Sequence, residues 1–486
     1  MYTTITESTL TASAALAELE AGDTTSERLV EGLLERIDRL NPQLNAIITL
    51  DGAGARQRAK AADEARQRGE CWGPLHGLPI TIKDAFETAG MRTVSGYPPF
   101  SGHVPEKDAP PVARLRQAGA IIVGKTNLPT LANGIQCDNP VFGRTNNPWD
   151  LQRTPGGSSG GAAAALAASL SFLELGSDIG GSLRIPAHFC GVYSLKLTAS
   201  RVSGQGHLAS PKALSIPAGW EGLLKLASFG PMARSIDDLR LAFPIIAEPG
   251  TPGLEPAPAN PPAEMRLAWS DDFGGAPLDD ATRRAMRMLA TAVEHAGGRV
   301  EHLSDPGFDF QQAWRAAGTC LGTINTLFQP LSMQWQRRLT GPILGAFGPR
   351  DALMQGLFAG MSLRPAVVRE ALERQLELID QLEASLSRWD AWICPVFPTS
   401  AFTHRPPNAP IEVDDAHESM LLANLLHNVI FNLTGHPVVT IPIGRNALGL
   451  PIGVQVVGRR WQEMALLNAA ERLAGLTDGF QPPPGN

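Results

Sequence analysis

Apolar residues fall at helical spacing in some stretches of the chain and crowd into short runs in others, and the two patterns alternate. Over 26–40 they recur three and four apart, which predicts a helix that Ser26 caps and Asn41-Pro42 stops. A further helix is expected over about 53–68. The β-rich runs at 78–82 and 120–123 predict strands, and the stretch VARLRQAG between them, ending at Gly119, predicts a helix. That is the rhythm of a strand, helix, strand unit.

After the glycine- and serine-rich segment 156–161 comes an alanine-rich run at 162–173 that reads as a buried helix. The strand-like SFLELG, a second glycine-rich turn and the apolar FCGVYSLKL follow. Six prolines at 249, 252, 256, 258, 261 and 262 predict a stiff surface connection between a glycine-rich half and a helical half. Helices are expected at about 279–297 and 365–389, the latter burying a stripe of Leu372, Leu376, Ile379, Leu382, Leu386 and Trp389. The run 320–361 has no clean period and either walls an apolar pocket or packs. VVTIPI (438–443) and IGVQVV (452–457) predict a hairpin, and a last helix ends at Gly475. The fold class expected is α/β: one large domain on a central mixed sheet with helices over both faces. Within it, 1–70 supply covering helices, 71–248 the chemical core, 249–390 a helical insertion or cap, and 391–486 a return to the sheet.

Composition narrows the function. The 486 residues, 43% of them hydrophobic, are enough for a sizeable core. A formal charge of -7 argues against a nucleic-acid or anionic-membrane partner, which needs a clustered basic surface. The first twenty residues carry Glu7, Glu18 and Glu20 and no Lys or Arg, unlike a secretory signal. No apolar run reaches the roughly 20 residues of a membrane span. Cys71, Cys137, Cys190, Cys320 and Cys394 are odd in number and widely spaced, so neither a disulfide framework nor a zinc site is indicated, and a reducing cytoplasm fits.

The chemistry concentrates in TPGGSSGGAAAALAASLSFLELGSDIGGSLRIPAHFCG, residues 154–191, which sets serines in two separate glycine-rich turns. Glycine lets the backbone approach a ligand, so the N–H groups of Ile179, Gly180, Gly181 and Ser182 can converge as an oxyanion hole. The nearest histidine, His188, lies in an apolar run and reads as a packing residue rather than a base. Lys83 ends the apolar LPITI at an expected strand end, where burial favours the neutral amine and makes it a base.

With these residues in view the chain resembles the amidase-signature family. The resemblance rests on LHGLPITIKD (75–84), GKTNLP (124–129), FGRTNNPWD (142–150), GGSSGG (156–161), GSDIGGSLRIPAHFCG (176–191), and the C-terminal FNLTGHPVVTIPIG and GLPIGVQVVG. It implies a Ser, cis-Ser, Lys triad of Ser182, Ser158 and Lys83, with a cis peptide bond before Ser158. Ser159, Asp178 and Arg184 would support it, and the mechanism calls for no metal or cofactor. By the same analogy Leu131, Ala132, Asn133, Gly134, Ile135 and Gln136 lie beside the acyl pocket and 310–365 caps it. Both segments are sparsely charged, which predicts an uncharged small-molecule amide substrate, with esters, anilides and carbamates fitting the same chemistry. A homodimer is compatible with the resemblance.

LPTLANGIQCDN and GSDIGGS depart from the forms usual in the tRNA amidotransferase members of the family, which places a partner-dependent transamidase second to a hydrolase. Leu197 stands where the family more often has proline. The run GAIIVGKT (119–126) matches a phosphate-loop pattern, but AIIV lies between its glycines and Asn127-Leu128-Pro129 follows. A strand is therefore expected there, and nucleotide binding through Lys125 is a remote alternative.

Overall fold

The computed structural model describes residues 10–208, 216–257, 265–303, 307–347 and 351–485. Among them one mixed sheet runs through the molecule. Its strands are β1 (Ile47–Leu50), β2 (Pro79–Lys83), β3 (Ile121–Thr126), β4 (Glu174–Asp178), β5 (Tyr193–Lys196), β6 (Ser228–Ala233), β7 (Arg266–Trp269), β8 (Arg299–His302) and β9 (Ala391–Pro395). The short hairpin β10 (Ile411–Val413) and β11 (Ala416–Glu418) stands apart, and β12 (Val438–Arg445) and β13 (Pro451–Val457) complete the sheet. The order is β1-β3-β2-β4-β6-β5-β12-β13-β9-β7-β8.

Helices α1 (Ala12–Ala21), α2 (Ser26–Leu44), α3 (Gly52–Gln67), α4 (Pro110–Gln117), α5 (Gly160–Ala167), α6 (Arg184–Cys190) and α7 (Ile236–Ile246) interleave with the first six strands. Then come α8 (Asp280–His295), α9 (Phe310–Leu327), α10 (Leu331–Phe347), α11 (Ala352–Met361), α12 (Pro365–Leu386), α13 (Met420–Leu425), α14 (Val429–Leu433) and α15 (Glu463–Ala474). Every residue of β2, β3, β4 and β13 is buried, because helices cover both faces of the sheet. None of the helices among the described residues is long and apolar enough to cross a membrane.

The site is positioned by β3, β2 and β4, which are mutually parallel neighbours. Their carboxyl ends fall on one edge of the sheet, so Lys83, Thr126 and Asp178 arrive together although they are distant in sequence. The expected strands at 78–82 and 120–123 and the helix between them appear here as β2, β3 and α4. The alanine-rich run forms the fully buried α5 only as far as Ala167, short of the expected end at 173, and residues 168–173 lead to β4 without a helix.

Three further expectations change. α2 does not stop at Asn41-Pro42 but continues to Leu44. Proline removes one helical N–H, yet Asn41 Oδ1 accepts from the amides of Ala46 and Ile47, both at 2.9 Å, and fastens the last turn. Its N-cap is Thr25, whose side chain accepts from Arg28 N–H, rather than Ser26. In α12 the buried face is Val368, Ala371, Gln375, Leu378, Leu382 and Leu386, and Leu376 is 61% exposed. The helix is turned because Gln375 is drawn inward to donate to Leu433 O at 2.7 Å. The segment 249–390 is not only a helical insertion, since it contributes β7 and β8 to the central sheet. Part of its proline-rich connection, 258–264, lies outside the described residues.

Within the unperiodic run 320–361 the parts in α9 and α11 pack, whereas Leu331, Trp335, Leu339 and Ile343 of α10 are exposed. A side-chain carbon added at Gly318 would sit 2.1 Å from Leu353 O and one at Gly356 would sit 2.0 Å from Arg315 O, so α9 and α11 touch backbone to backbone. Such contact follows close-packed small residues rather than a stripe of large ones.

α2 is also capped from outside: Asp63 on α3 accepts from the amides of Ser26 and Glu27 at 2.8 and 3.0 Å. Asp63→Ala should therefore lower the unfolding free energy by roughly 1–2 kcal/mol, as losing an N-cap does. Urea denaturation measures it, and an unchanged midpoint would refute the capping role.

Candidate active site

Lys83 ends β2 with no solvent exposure, and its surroundings are hydroxyls. Nζ lies 2.7 Å from Ser158 Oγ, 2.9 Å from Ser159 Oγ and 3.0 Å from Ser177 Oγ, with Ser177 O at 3.5 Å. Burial pushes its pKa down to about 7, against the smaller opposing pull of Asp178, Cys137 and Glu174. A neutral amine has two N–H donors and one lone pair, and three hydroxyls are what it needs to satisfy all three.

Two backbone segments supply these hydroxyls: Ser158 and Ser159 stand just before α5, and Ser177 lies in β4. The Gly157-Ser158 peptide bond is cis. Gly157 is packed so that an added side-chain carbon would meet Gly134 O at 2.6 Å. Ser159 Oγ also donates to Ser177 O at 3.4 Å, and its amide donates to Ser182 O at 3.1 Å, which joins the two serine turns directly. Ser159 therefore both contacts the lysine and ties its turn to the strand and turn that follow. Ser177 is a lysine partner that the sequence did not single out, although it stands only five residues before Ser182. Ser158, Ser159 and Ser177 are buried; Ser182, in the turn after β4, is half-exposed and reachable by a substrate.

The turn carrying Ser182 is held by Asp178. Its Oδ1 accepts from Gly181 N–H at 2.9 Å and its Oδ2 from Leu183 N–H at 3.0 Å, while Arg184 meets both oxygens at 2.8 and 3.0 Å with neither side chain exposed. Burial alone would raise this carboxyl. The charge and hydrogen bonds of Arg184, the Leu183 amide and the charge of Lys196 together hold it well below the usual carboxylate range. Arg184 goes on to bond Asn428 O at 3.0 Å, Gln455 Oε1 at 2.7 Å and Asn432 Oδ1 at 2.6 Å. Asn432 Nδ2 returns to Asp178 Oδ1 at 3.0 Å. Gly181, at φ 104°, is pressed against Asn428, where a side-chain carbon would lie 2.7 Å away. Of the expected oxyanion set of Ile179, Gly180, Gly181 and Ser182, the Gly181 amide is committed to Asp178. Nothing in the sequence marked that commitment, which depends on how the carboxylate folds back.

The other candidates fall into place as packing. His188 accepts from Gly453 N–H at Nδ1, 2.6 Å, and its Nε2 lies 3.1 Å from Thr399 O, the pairing of a neutral imidazole. Burial pushes its pKa down. Lys125 sits within β3, unexposed, with Nζ bonded to Phe86 O at 2.5 Å, Thr88 Oγ1 at 3.0 Å and Thr93 Oγ1 at 3.1 Å. It cannot reach a nucleotide, which removes the phosphate-loop alternative. All five cysteines are free. Burial pushes the Cys137 thiol up to about 12, so it supplies no thiolate. Among the described residues no three His, Cys, Asp or Glu side chains gather in a metal-holding group.

A cavity of about 910 Å³ opens beside the two turns. Asn133, Gly134, Ile135 and Gln136 line it, and Gly134–Ile135 is the backbone that abuts Gly157. Helix α13 lines it with Met420, Leu421 and Asn424, and its Leu425 presses on Gly180. Leu131 and Ala132, both at positive φ, do not line it, and neither does any residue of 310–365. Instead α9 packs behind α13 and α14, with Trp314 Nε1 donating to Leu426 O at 2.9 Å. The cavity is also less neutral than the local sequence suggests, since Asp138, Arg144 and Arg405 reach it from neighbouring and distant segments.

Known proteins resemble this chain in sequence and in fold. The sequence profile of the Amidase family matches residues 28–467. A glutamyl-tRNA(Gln) amidotransferase subunit from Roseiflexus sp. (strain RS-1) is 33% identical over 497 residues, covering 96% of this chain and 96% of that protein. A crystal structure of an amidase superposes with a TM-score of 0.77 at 30% identity, covering 96% of this chain and 100% of that one. The 6-aminohexanoate cyclic dimer hydrolase complexed with substrate does so with a TM-score of 0.76 at 25% identity, covering 98% of each chain.

Asp178→Asn keeps the shape of the turn but leaves Arg184 buried without its countercharge. The variant should lose roughly 3–5 kcal/mol of stability, as broken buried ion pairs do, measured by urea unfolding. A loss below about 1 kcal/mol, within the range of an exposed pair, would show that the pair does not hold the turn.

Proposed function

The chain belongs to the amidase-signature family and is an amide-cleaving enzyme of that family, and from this premise we propose that it forms an acyl-enzyme on Ser182. The single observation that carries the proposal is Lys83: an unexposed amine, 2.7 Å from Ser158 Oγ, with hydroxyl and carbonyl partners only. Neutral Lys83 takes the proton of Ser158 as Ser158 takes that of Ser182, whose oxygen attacks the substrate carbonyl. The amides of Ile179, Gly180 and Ser182 hold the oxyanion. When the tetrahedral intermediate collapses, the proton returns through Ser158 to the leaving nitrogen, and a second nucleophile releases the acyl group.

That second nucleophile is water, and two readings differ in the fate of the nitrogen that leaves. In the first it departs into solvent, and the protein hydrolyses a small-molecule amide, with anilides, esters and carbamates accessible to the same steps. The likeness to an amidase and to the cyclic dimer hydrolase supports this reading. In the second, the chain is one component of a transamidase, which cleaves an amide and passes the released ammonia to a companion protein. End-to-end alignment with the amidotransferase relatives favours it, and on those relatives it stands ahead of the first.

Purified chain assayed alone against p-nitroanilides, aryl and aliphatic amides, carbamates and glutamine discriminates them. Turnover of the small-molecule panel without a partner supports hydrolysis, whereas activity confined to glutamine, or appearing only with a companion protein, supports transamidation.

Two outcomes follow from the triad itself. Ser182→Ala should abolish covalent labelling by a fluorophosphonate probe, and a label retained on another residue would overturn the assignment. Since the lysine is active when neutral and its pKa is held down to about 7, kcat/KM should be low at acid pH, rise through about 7 and level off above it. Lys83→Ala should remove both most of the rate, by about 100-fold or more, and the inflection. An inflection that survives in the variant would assign the titration to another group.

A further inference from the structure

Two arginines line one cavity without an ion-pair partner, although the chain as a whole carries a formal charge of -7. They are Arg144 and Arg405, and among the described residues no carboxylate stands within ion-pair distance of either. Arg405 is a built feature of the wall. Its backbone is clamped by the Gln136 carboxamide, which donates to Arg405 O at 2.8 Å and accepts from Arg405 N–H at 3.0 Å. Its guanidinium lies over the Phe402 ring, 5.6 Å from the centroid, and donates to neutral groups: Thr403 O, Thr403 Oγ1 and Pro410 O. These bonds orient the charge without cancelling it. His404, between the two arginines on the lining, adds no compensation, because burial and the charge of Arg144 hold its pKa down to about 4. Asp138 is the carboxylate on the lining, so the wall carries a net positive charge of one.

We propose that Arg144 and Arg405 form an anion-reading subsite that receives a carboxylate carried by the substrate, several bonds from the carbonyl that Ser182 attacks. The cavity, about 910 Å³, has the volume of a small-ligand site. Its lining shares Gly134 and Ile135 with the backbone that abuts Gly157, next to Ser158, and Met420, Leu421 and Asn424 with the helix whose Leu425 presses on Gly180, which puts it next to the serine turns without Ser182 itself in its wall. A guanidinium fits a carboxylate by paired, charge-assisted hydrogen bonds, and a neutral ester or amide at the same place forfeits them. The proposal rests on Ser182 being the nucleophile and names the substrate class for that site: amides of dicarboxylic acids, or other amides with a free carboxylate at the far end.

The test compares mono-p-nitroanilides of glutarate, adipate and pimelate with their methyl esters. Wild-type kcat/KM should favour the free acids by about tenfold, mainly through KM, as expected for a charge-assisted contact. The double variant Arg144→Ala, Arg405→Ala should lose that preference and keep methyl-ester turnover, and Arg144→Glu should invert it. Esters turned over as well as the acids by wild type, or a preference that survives the double variant, would overturn the proposal.

Calorimetric binding of pimelamic acid and pimelamide to the Ser182→Ala protein gives a readout that needs no turnover. Tighter binding of the acid, lost in the double variant, supports the subsite, and equal affinity overturns it. If the acid binds selectively while a fluorophosphonate label persists in Ser182→Ala, the nucleophile assignment fails and the anion site stands.

Discussion

An amine removed from water must either meet a countercharge or give up its proton, and at Lys83 the protein has withheld the countercharge. Three lysines are fully buried along this sheet, and the comparison between them is instructive. Lys125 has Asp84 at 3.8 Å and keeps a pKa of about 8. Lys196 is tied to the His436 carbonyl at 2.7 Å, a fixed acceptor that cannot yield a proton. Lys83 alone among them faces three hydroxyls, groups able to donate as well as accept. Burial lowers its pKa to about 7 and so frees its lone pair near neutral pH, and the hydroxyls give that lone pair a proton to take.

The cost of such a pocket is met by the remainder of the fold. Hydroxyls at the right distance require the turn of Ser158 and Ser159 and the strand residue Ser177 to stand against the end of β2, with the Ser182 turn following directly on β4. The Asp178–Arg184 pair supplies the rigidity. It binds the nucleophile turn to Asn428 and Asn432, beside and within α14, and to Gln455 of β13, so the C-terminal segment of the chain braces chemistry encoded near residue 180. The hydroxyls around the lysine are few; the residues that keep the Ser182 turn in register extend over 271 positions of sequence from Arg184 to Gln455.

Much of this was legible in the sequence where local chemistry decides. The strands before and after α4, the buried alanine helix and the hairpin of β12 and β13 follow from periodicity, and the serines, the lysine and the Asp178 and Arg184 pair from motifs that resemble a family. What was not legible depends on tertiary partners. The rotation of α12 follows from Gln375 finding a carbonyl on α14, and the continuation of α2 past Pro42 follows from the Asn41 side chain. The Gly181 amide is lost to the oxyanion set because Asp178 folds back. The charge of the cavity comes from Arg144 and Arg405, which no local window places beside 133–136, and the 310–365 segment lies elsewhere because α9 and α11 close on each other.

The gradient of exposure across the site has a kinetic meaning. Lys83, Ser159 and Ser158 are at 0, 0 and 1% exposure, while Ser182 is the hydroxyl that meets the open. On the proposed relay, a proton that reaches the lysine has its exit through the hydroxyls that delivered it, and an acyl group on Ser182 stoppers that exit. The captive proton is then kept for the departing nitrogen rather than lost to buffer. The enzyme thereby carries its acid equivalent with it through the reaction, in a sealed compartment that refills when the acyl group leaves.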